Sequence, residues 1–196
     1  MGINVIEQLN LDWRTLKPIG KPINVYITKK QLELLDRFLI KRQLFDFYEK
    51  LKIAKLHVIK PSKEIKFKKI ILEPILFPKS DAPFFLIKGN KKKVIYAPCE
   101  FKNFKAMPEL KGADLLIAHM LWFEDPEFFI DFPWKDIEDS FEHMLKVAKK
   151  LEVKRIVITY IDECFDLSFE DFKKLEKEKF EEYNLQFAFD GMKLDI

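Results

Sequence analysis

Apolar residues recur at two periods along the chain, and the switches between them lay out the elements. Residues 3–16 carry apolar positions loosely at helical spacing, until Lys17-Pro18 and the Gly/Pro-containing 20–22 break the pattern. The run PINVYIT at 22–28 predicts a short buried strand. Residues 29–52 predict one amphipathic helix with a break, or two in sequence. Leu32, Leu35, Phe38, Leu39 and then Leu44, Phe47, Tyr48, Leu51 supply its apolar side. Strands are expected near 55–59 and 66–77. Residues 84–88 and 92–97 flank Gly89-Asn90, a hairpin signal.

Beyond residue 112 strands and helices alternate, which predicts α/β layers. The run LLIA at 115–118 is continuously apolar, as in a strand covered on both faces. Residues 123–136 read as a loop with two prolines and many aromatics. A helix over 138–151 aligns Phe141, Met144, Leu145 and Ala148, and RIVITY at 155–160 is a second buried strand. Ser168 opens a helix that runs to about Tyr183, with Asp171 at the third position of a capping box. Residues 185–189 and 192–195 are expected to pair about Asp190-Gly191, which is hairpin turn chemistry. No repeat, linker or low-complexity segment interrupts the pattern, so residues 1–196 are expected to form a single domain.

Composition narrows the class. A chain of 196 residues that is 48% hydrophobic and contains 20 Phe is not a disordered segment, and it can bury a core without staples. No apolar run reaches the roughly 18 residues of a membrane span, and the acidic N-terminus lacks an apolar signal region. The two cysteines, Cys99 and Cys164, make no disulfide framework. A soluble, reduced, cytoplasmic protein with no membrane partner is expected. The net charge of +3 is too balanced to argue for nucleic acid by itself. At 34% charged and rich in Lys and Glu, the composition is thermophile-like.

The C-terminal half resembles a known family. KVIYAPCEF at 93–101 and GADLLI at 112–117 come first. The helix end VAKKL at 147–151, VKRIVITYI at 153–161 and AFDGM at 188–192 come after them. Their order and spacing resemble the metallo-β-lactamase fold, in the branch of cyclic-phosphate phosphodiesterases and tRNA 3′-end nucleases. The resemblance covers residues 2–196 and is specific over about the last half. It implies a four-layer αββα sandwich with a metal site at its rim. One or two Zn²⁺ or Mn²⁺ ions there activate a water for attack on phosphorus. The family's ligands are a His-x-His-x-Asp-His loop, a later His, a bridging Asp and a last His.

This chain departs from that ligand set. The segment GINVIEQLN at 2–10 resembles the family's stretch directly after the signature loop, so the family's first strands are expected to be missing or rearranged. No His stands at Lys79 or Ser80, where the later one is implied. Cys99 replaces the bridging Asp and Tyr160 the last His. A thiol lacks the two oxygens of a bridging carboxylate, and a phenol titrating near pH 10 is a poor ligand. The resemblance therefore implies a non-catalytic relative that acts by binding or assembly, with no cofactor.

Two other readings stay open. Cys99, His119 and Asp162 could form a rebuilt Zn²⁺ or Mn²⁺ site, or a partner chain could complete one, leaving a phosphodiesterase-like hydrolase. Against this, Cys99 and His119 could simply be packed residues. His143 and His57 read as structural. The aromatics Trp122, Phe123, Phe128, Phe129, Phe132 and Trp134 suit either a plug over a vacated site or a partner patch. Missing strands would leave an open sheet, so a homo-oligomer or a partner chain covering it is expected. Lys63, Lys66, Lys68 and Lys69, with Lys88, Lys91, Lys92 and Lys93, make nucleic acid a weaker alternative to plain solvation.

Overall fold

The computed structural model describes residues 11–195 apart from 13, 16, 38, 61–62, 78–82, 98–100, 120–133 and 160–166. The chain divides into two compact units, Met1–Lys60 and Pro61–Ile196. Each folds around its own apolar cluster.

In the first unit, Leu11–Asp12 (β1) and Lys17–Pro18 (β2) pair antiparallel. The spacing over 3–16 predicts a helix, and residues 3–10 of that stretch lie outside the described residues. Asp12 overrides the helical spacing, since its carboxylate accepts from the Arg14 N–H (2.9 Å) and the Thr15 hydroxyl (3.0 Å), a local turn that competes with helix. Ile23–Ile27 (β3) and Ala54–Val58 (β4) then pair in parallel, joined by the helices Lys29–Arg37 (α1) and Leu39–Lys50 (α2). β3 is half-buried rather than buried, because alternate positions carry Asn24 and Tyr26 away from the helices. Thr28 starts α1 with an unforeseen capping box. Its hydroxyl accepts from the Gln31 N–H (3.1 Å), and the Gln31 carboxamide accepts from the Thr28 N–H (2.9 Å). Phe45, Tyr48, Ile53 and Ala54 form the core of this unit.

The second unit is a seven-stranded mixed sheet, the α/β architecture expected from the sequence. Its strands are Ile65–Phe67 (β5), Ile70–Ile75 (β6), Phe84–Gly89 (β7), Lys92–Ala97 (β8), Leu115–His119 (β9), Ile156–Thr159 (β10) and Leu185–Phe187 (β11). They lie in the order β11-β10-β9-β8-β7-β6-β5. β5 to β8 pair antiparallel, while β8, β9, β10 and β11 run parallel. One face of the sheet packs Leu86, Ile95, Leu116, Ile156 and Leu185 against Phe141, Met144 and Ala148 of Trp134–Lys150 (α3) and Phe172 of Phe169–Glu178 (α4). The other face buries Val94, Leu115 and Val157 beneath Ala188, Met192 and Leu194. β9 is therefore covered on both sides, as its unbroken apolar run requires.

Several boundaries differ from the sequence expectation. α4 ends at Glu178 and not near Tyr183, since Phe180 leaves the helix to join the core and a 3-10 turn, Glu181–Tyr183, follows. The 66–77 strand is two strands turning at Lys68-Lys69. The β7–β8 turn is Asn90-Lys91, with Gly89 still paired to Lys92. α3 begins at Trp134. Residues 192–195 form no strand. The turn at Asp190-Gly191 does form, with φ +80° at Gly191 and the Met192 N–H on the Phe189 carbonyl at 3.0 Å. The chain beyond it returns over the sheet face, laying Met192 and Leu194 on Val94, Leu115 and Val157.

Candidate functional site

The parallel strands end together. Ala97 of β8 pairs with Ala118 of β9, and His119 pairs with Thr159 of β10. Loops leaving these carboxyl ends all start from one edge of the sheet, where open α/β sheets place their ligands. Ala97 and Ala118 are fully buried, and the small side chains leave the strand ends close-packed. The Thr159 hydroxyl donates to the Ala118 carbonyl at 3.2 Å, closing the end of β10 onto β9. His119 is half-buried.

Beneath the same edge lies an aromatic floor that sequence reasoning missed. Phe84 stands 4.9 Å from Phe77, 5.2 Å from Phe104 and 5.6 Å from Phe101, ring centre to ring centre. Phe101 opens a short 3-10 turn after β8, Phe101–Asn103, and Phe104 follows it. His143 of α3 bonds the Phe104 carbonyl at 2.7 Å through Nε2, so it fixes this turn to the helix and has a structural role, as expected. His57, in the other unit, stacks on Tyr26 at 4.9 Å and bonds Asn24 at 2.8 Å.

Of the residues singled out in sequence, the structure describes His119 at this edge. Cys99, Tyr160 and Asp162 lie outside the described residues, as do Trp122, Phe123, Phe128, Phe129 and Phe132. Trp134 is described as the first residue of α3, without its side chain. Among the described residues no group of three or more His, Cys, Asp or Glu is placed to hold a metal. The described donors at the edge are one imidazole and a threonine hydroxyl, and a zinc site takes three or four protein ligands. By themselves they do not fit the metal centre that the resemblance implies.

Both lysine clusters come together at the opposite edge, where the β5–β6 and β7–β8 turns adjoin. Next to them, Asp114 precedes β9. Its carboxylate takes the Lys154 ammonium at 2.8 Å and the Lys93 N–H at 2.9 Å, with Lys92 at 3.6 Å. The Lys154 hydrogen bond first, and then that of the Lys93 N–H, hold its pKa down to about 2.

No protein-family model matches the chain, and no curated protein matches it. Solved structures do. Zn²⁺-bound PqqB from Methylobacterium extorquens superposes with a TM-score of 0.61 at 16% identity, over 89% of this chain and 63% of that one. A diphosphatase of the PhnP family gives 0.57 at 18% identity, over 89% and 58%. YhfI from Bacillus subtilis, a metallo-β-lactamase fold protein, gives 0.53 at 11%, over 88% and 65%. The chain thus spans less than two thirds of the length of each. Among the described residues no helix is long and apolar enough to cross a membrane. The mixed sheet, its parallel carboxyl edge and these superpositions together identify the chain's fold as the metallo-β-lactamase fold.

Proposed function

We propose that this chain is a non-catalytic protein of the metallo-β-lactamase fold, acting by binding or assembly. One observation carries the reading. β8 and β10 run in unbroken register with β9 to one edge. The sequence leaving that edge supplies Cys99 two residues after Ala97 and Tyr160 directly after Thr159. These are a thiol and a phenol where the resemblance implies a bridging carboxylate and an imidazole. Neither replaces the chelating oxygens or the neutral nitrogen that a two-ion phosphodiesterase needs. The aromatic run from Trp122 to Trp134 is the proposed contact surface, with a second copy or a partner chain as its occupant.

The test is elemental analysis of untagged protein purified without chelators, together with hydrolysis of an activated phosphodiester after soaking with Zn²⁺ and Mn²⁺. No bound metal and no hydrolysis are expected. About one metal equivalent per chain, or metal-dependent turnover, sinks the reading. The second reading, a hydrolase with a rebuilt site, has His119 in its favour, an imidazole at the carboxyl edge. It requires that bound metal be lost in Cys99→Ala and in Asp162→Asn.

A further inference from the structure

We propose that the lysine-rich end of the seven-stranded sheet, remote from the carboxyl edge, docks this protein on an anionic lipid surface. The register joins two hairpin tips there. Phe67 pairs with Ile70, Ile71 with Lys88, and Gly89 with Lys92. The tips touch: a Cβ on Gly89 would lie 3.3 Å from the Lys69 carbonyl oxygen and 3.6 Å from Ile70 Cγ1. Two clusters separated by some twenty positions in sequence thus form one surface.

Unneutralised charge concentrates at the tips. Lys88 is paired with Glu73 at 2.7 Å and Lys92 with Asp114 at 3.6 Å. Lys93 donates to the Glu109 and Lys111 carbonyls, at 3.0 and 2.7 Å. Lys66 reaches Glu64 only at 4.0 Å. Lys68, Lys69 and Lys91 are exposed and carry no ion pair among the described residues. The backbone also favours charge over comfort here. Lys68 and Lys91 occupy left-handed turn positions, φ +51° and +63°, where Gly or Asn fits without strain.

Amid these cations stand two exposed apolar side chains, Phe67 (44% exposed) and Ile70 (48%), directly opposite each other. Cations around a small apolar prominence match a bilayer interface, where headgroup charge attracts the lysines and the acyl boundary takes the apolar pair. Single-stranded nucleic acid fits less well. It is held by a groove with successive stacking rings, whereas Phe67 here faces Ile70, which has no π face. The expectation of no membrane partner rests on the lack of a spanning run. A surface contact needs none.

The test is co-sedimentation of the full chain with vesicles of phosphatidylcholine alone and with about one-third phosphatidylserine. Binding is expected only to the anionic vesicles, falling as salt rises. The pair Lys68→Glu and Lys91→Glu should weaken it at least tenfold. Phe67→Ser with Ile70→Ser should leave a weaker, wholly salt-sensitive remainder. All four positions are exposed, and thermal melting checks that the variants fold. Lys68→Gln with Lys91→Gln replaces the reversals if those do not. The proposal is overturned if anionic vesicles do not pellet the protein, or if the lysine variants pellet as well as the parent. It is also overturned if the tips bind single-stranded RNA and not vesicles.

Discussion

Asp114 and Lys154 meet at 2.8 Å where β9 and β10 enter the sheet, and the same carboxylate also holds the Lys93 N–H at the start of β8. Three neighbouring strands are thus fastened by one side chain that is only 12% exposed. Because its folded pKa is depressed to about 2 from 3.8, Asp114 stabilises the fold above the ordinary carboxylate value. That contribution is lost as pH falls from there through about 2. Asp114→Asn should cost about 2 kcal/mol near neutrality. Thermal melts of parent and variant should stay separated by a constant interval down to about pH 5 and converge in more acid solution. Parallel curves throughout would remove the ionic account.

Ser168 caps α4 reciprocally. Its hydroxyl accepts from the Asp171 N–H, while the Asp171 carboxylate takes the Ser168 N–H at 2.9 Å and hydroxyl at 2.6 Å. The same bonds lower the Asp171 pKa. Ser168→Ala should destabilise by about 1 kcal/mol and Ser168→Gly by only a few tenths. Urea unfolding with an unchanged slope checks it, since a capping loss leaves the surface exposed on unfolding unaltered.

Phe84 is fully buried at the centre of the aromatic floor, ringed by Phe77, Phe101 and Phe104. Phe84→Ala should cost about 4 kcal/mol, from lost transfer energy and the cavity left under the carboxyl edge. Phe84→Leu should recover more than half of that in chemical denaturation. Equal losses in both variants would mean that ring geometry, rather than filled volume, holds the site.

The elements were legible wherever burial dictated the residues. LLIA and the first three residues of IVIT had to be apolar because both sheet faces are covered, and Ser168 with Asp171 carries its capping box in plain sequence. Thr28 and Gln31 carry the same signal, hidden by a neighbouring strand pattern. Gly89-Asn90 misled because Gly is the stronger turn residue, yet here it gives room for a neighbouring tip, and Lys91 takes the turn. Asp190-Gly191 misled in another way. The turn formed, but Met192 and Leu194 cover Val94, Leu115 and Val157 instead of pairing with β11. At the site, topology fixes which strand ends share an edge. That pattern needs register, which local periodicity does not contain.

Lys91 and Lys93 lie two residues apart and should respond to glycine with opposite signs. Lys91 holds φ +63° beside Asn90 at +49°, the paired left-handed conformation that suits Asn-Gly. Lys91→Gly removes that strain and should stabilise the fold by about 1 kcal/mol. Lys93 sits inside β8 and bonds two carbonyls, so Lys93→Gly should lose strand propensity as well as both bonds, about 2 kcal/mol in all. Thermal melting of the two variants decides it. A rise for the first and a fall for the second means that lysine stands at the tip at some expense to stability, as a residue kept for contact rather than for folding would. A fall in both means that Lys91 is held by packing, and that the turn gives no reason to look for a partner there.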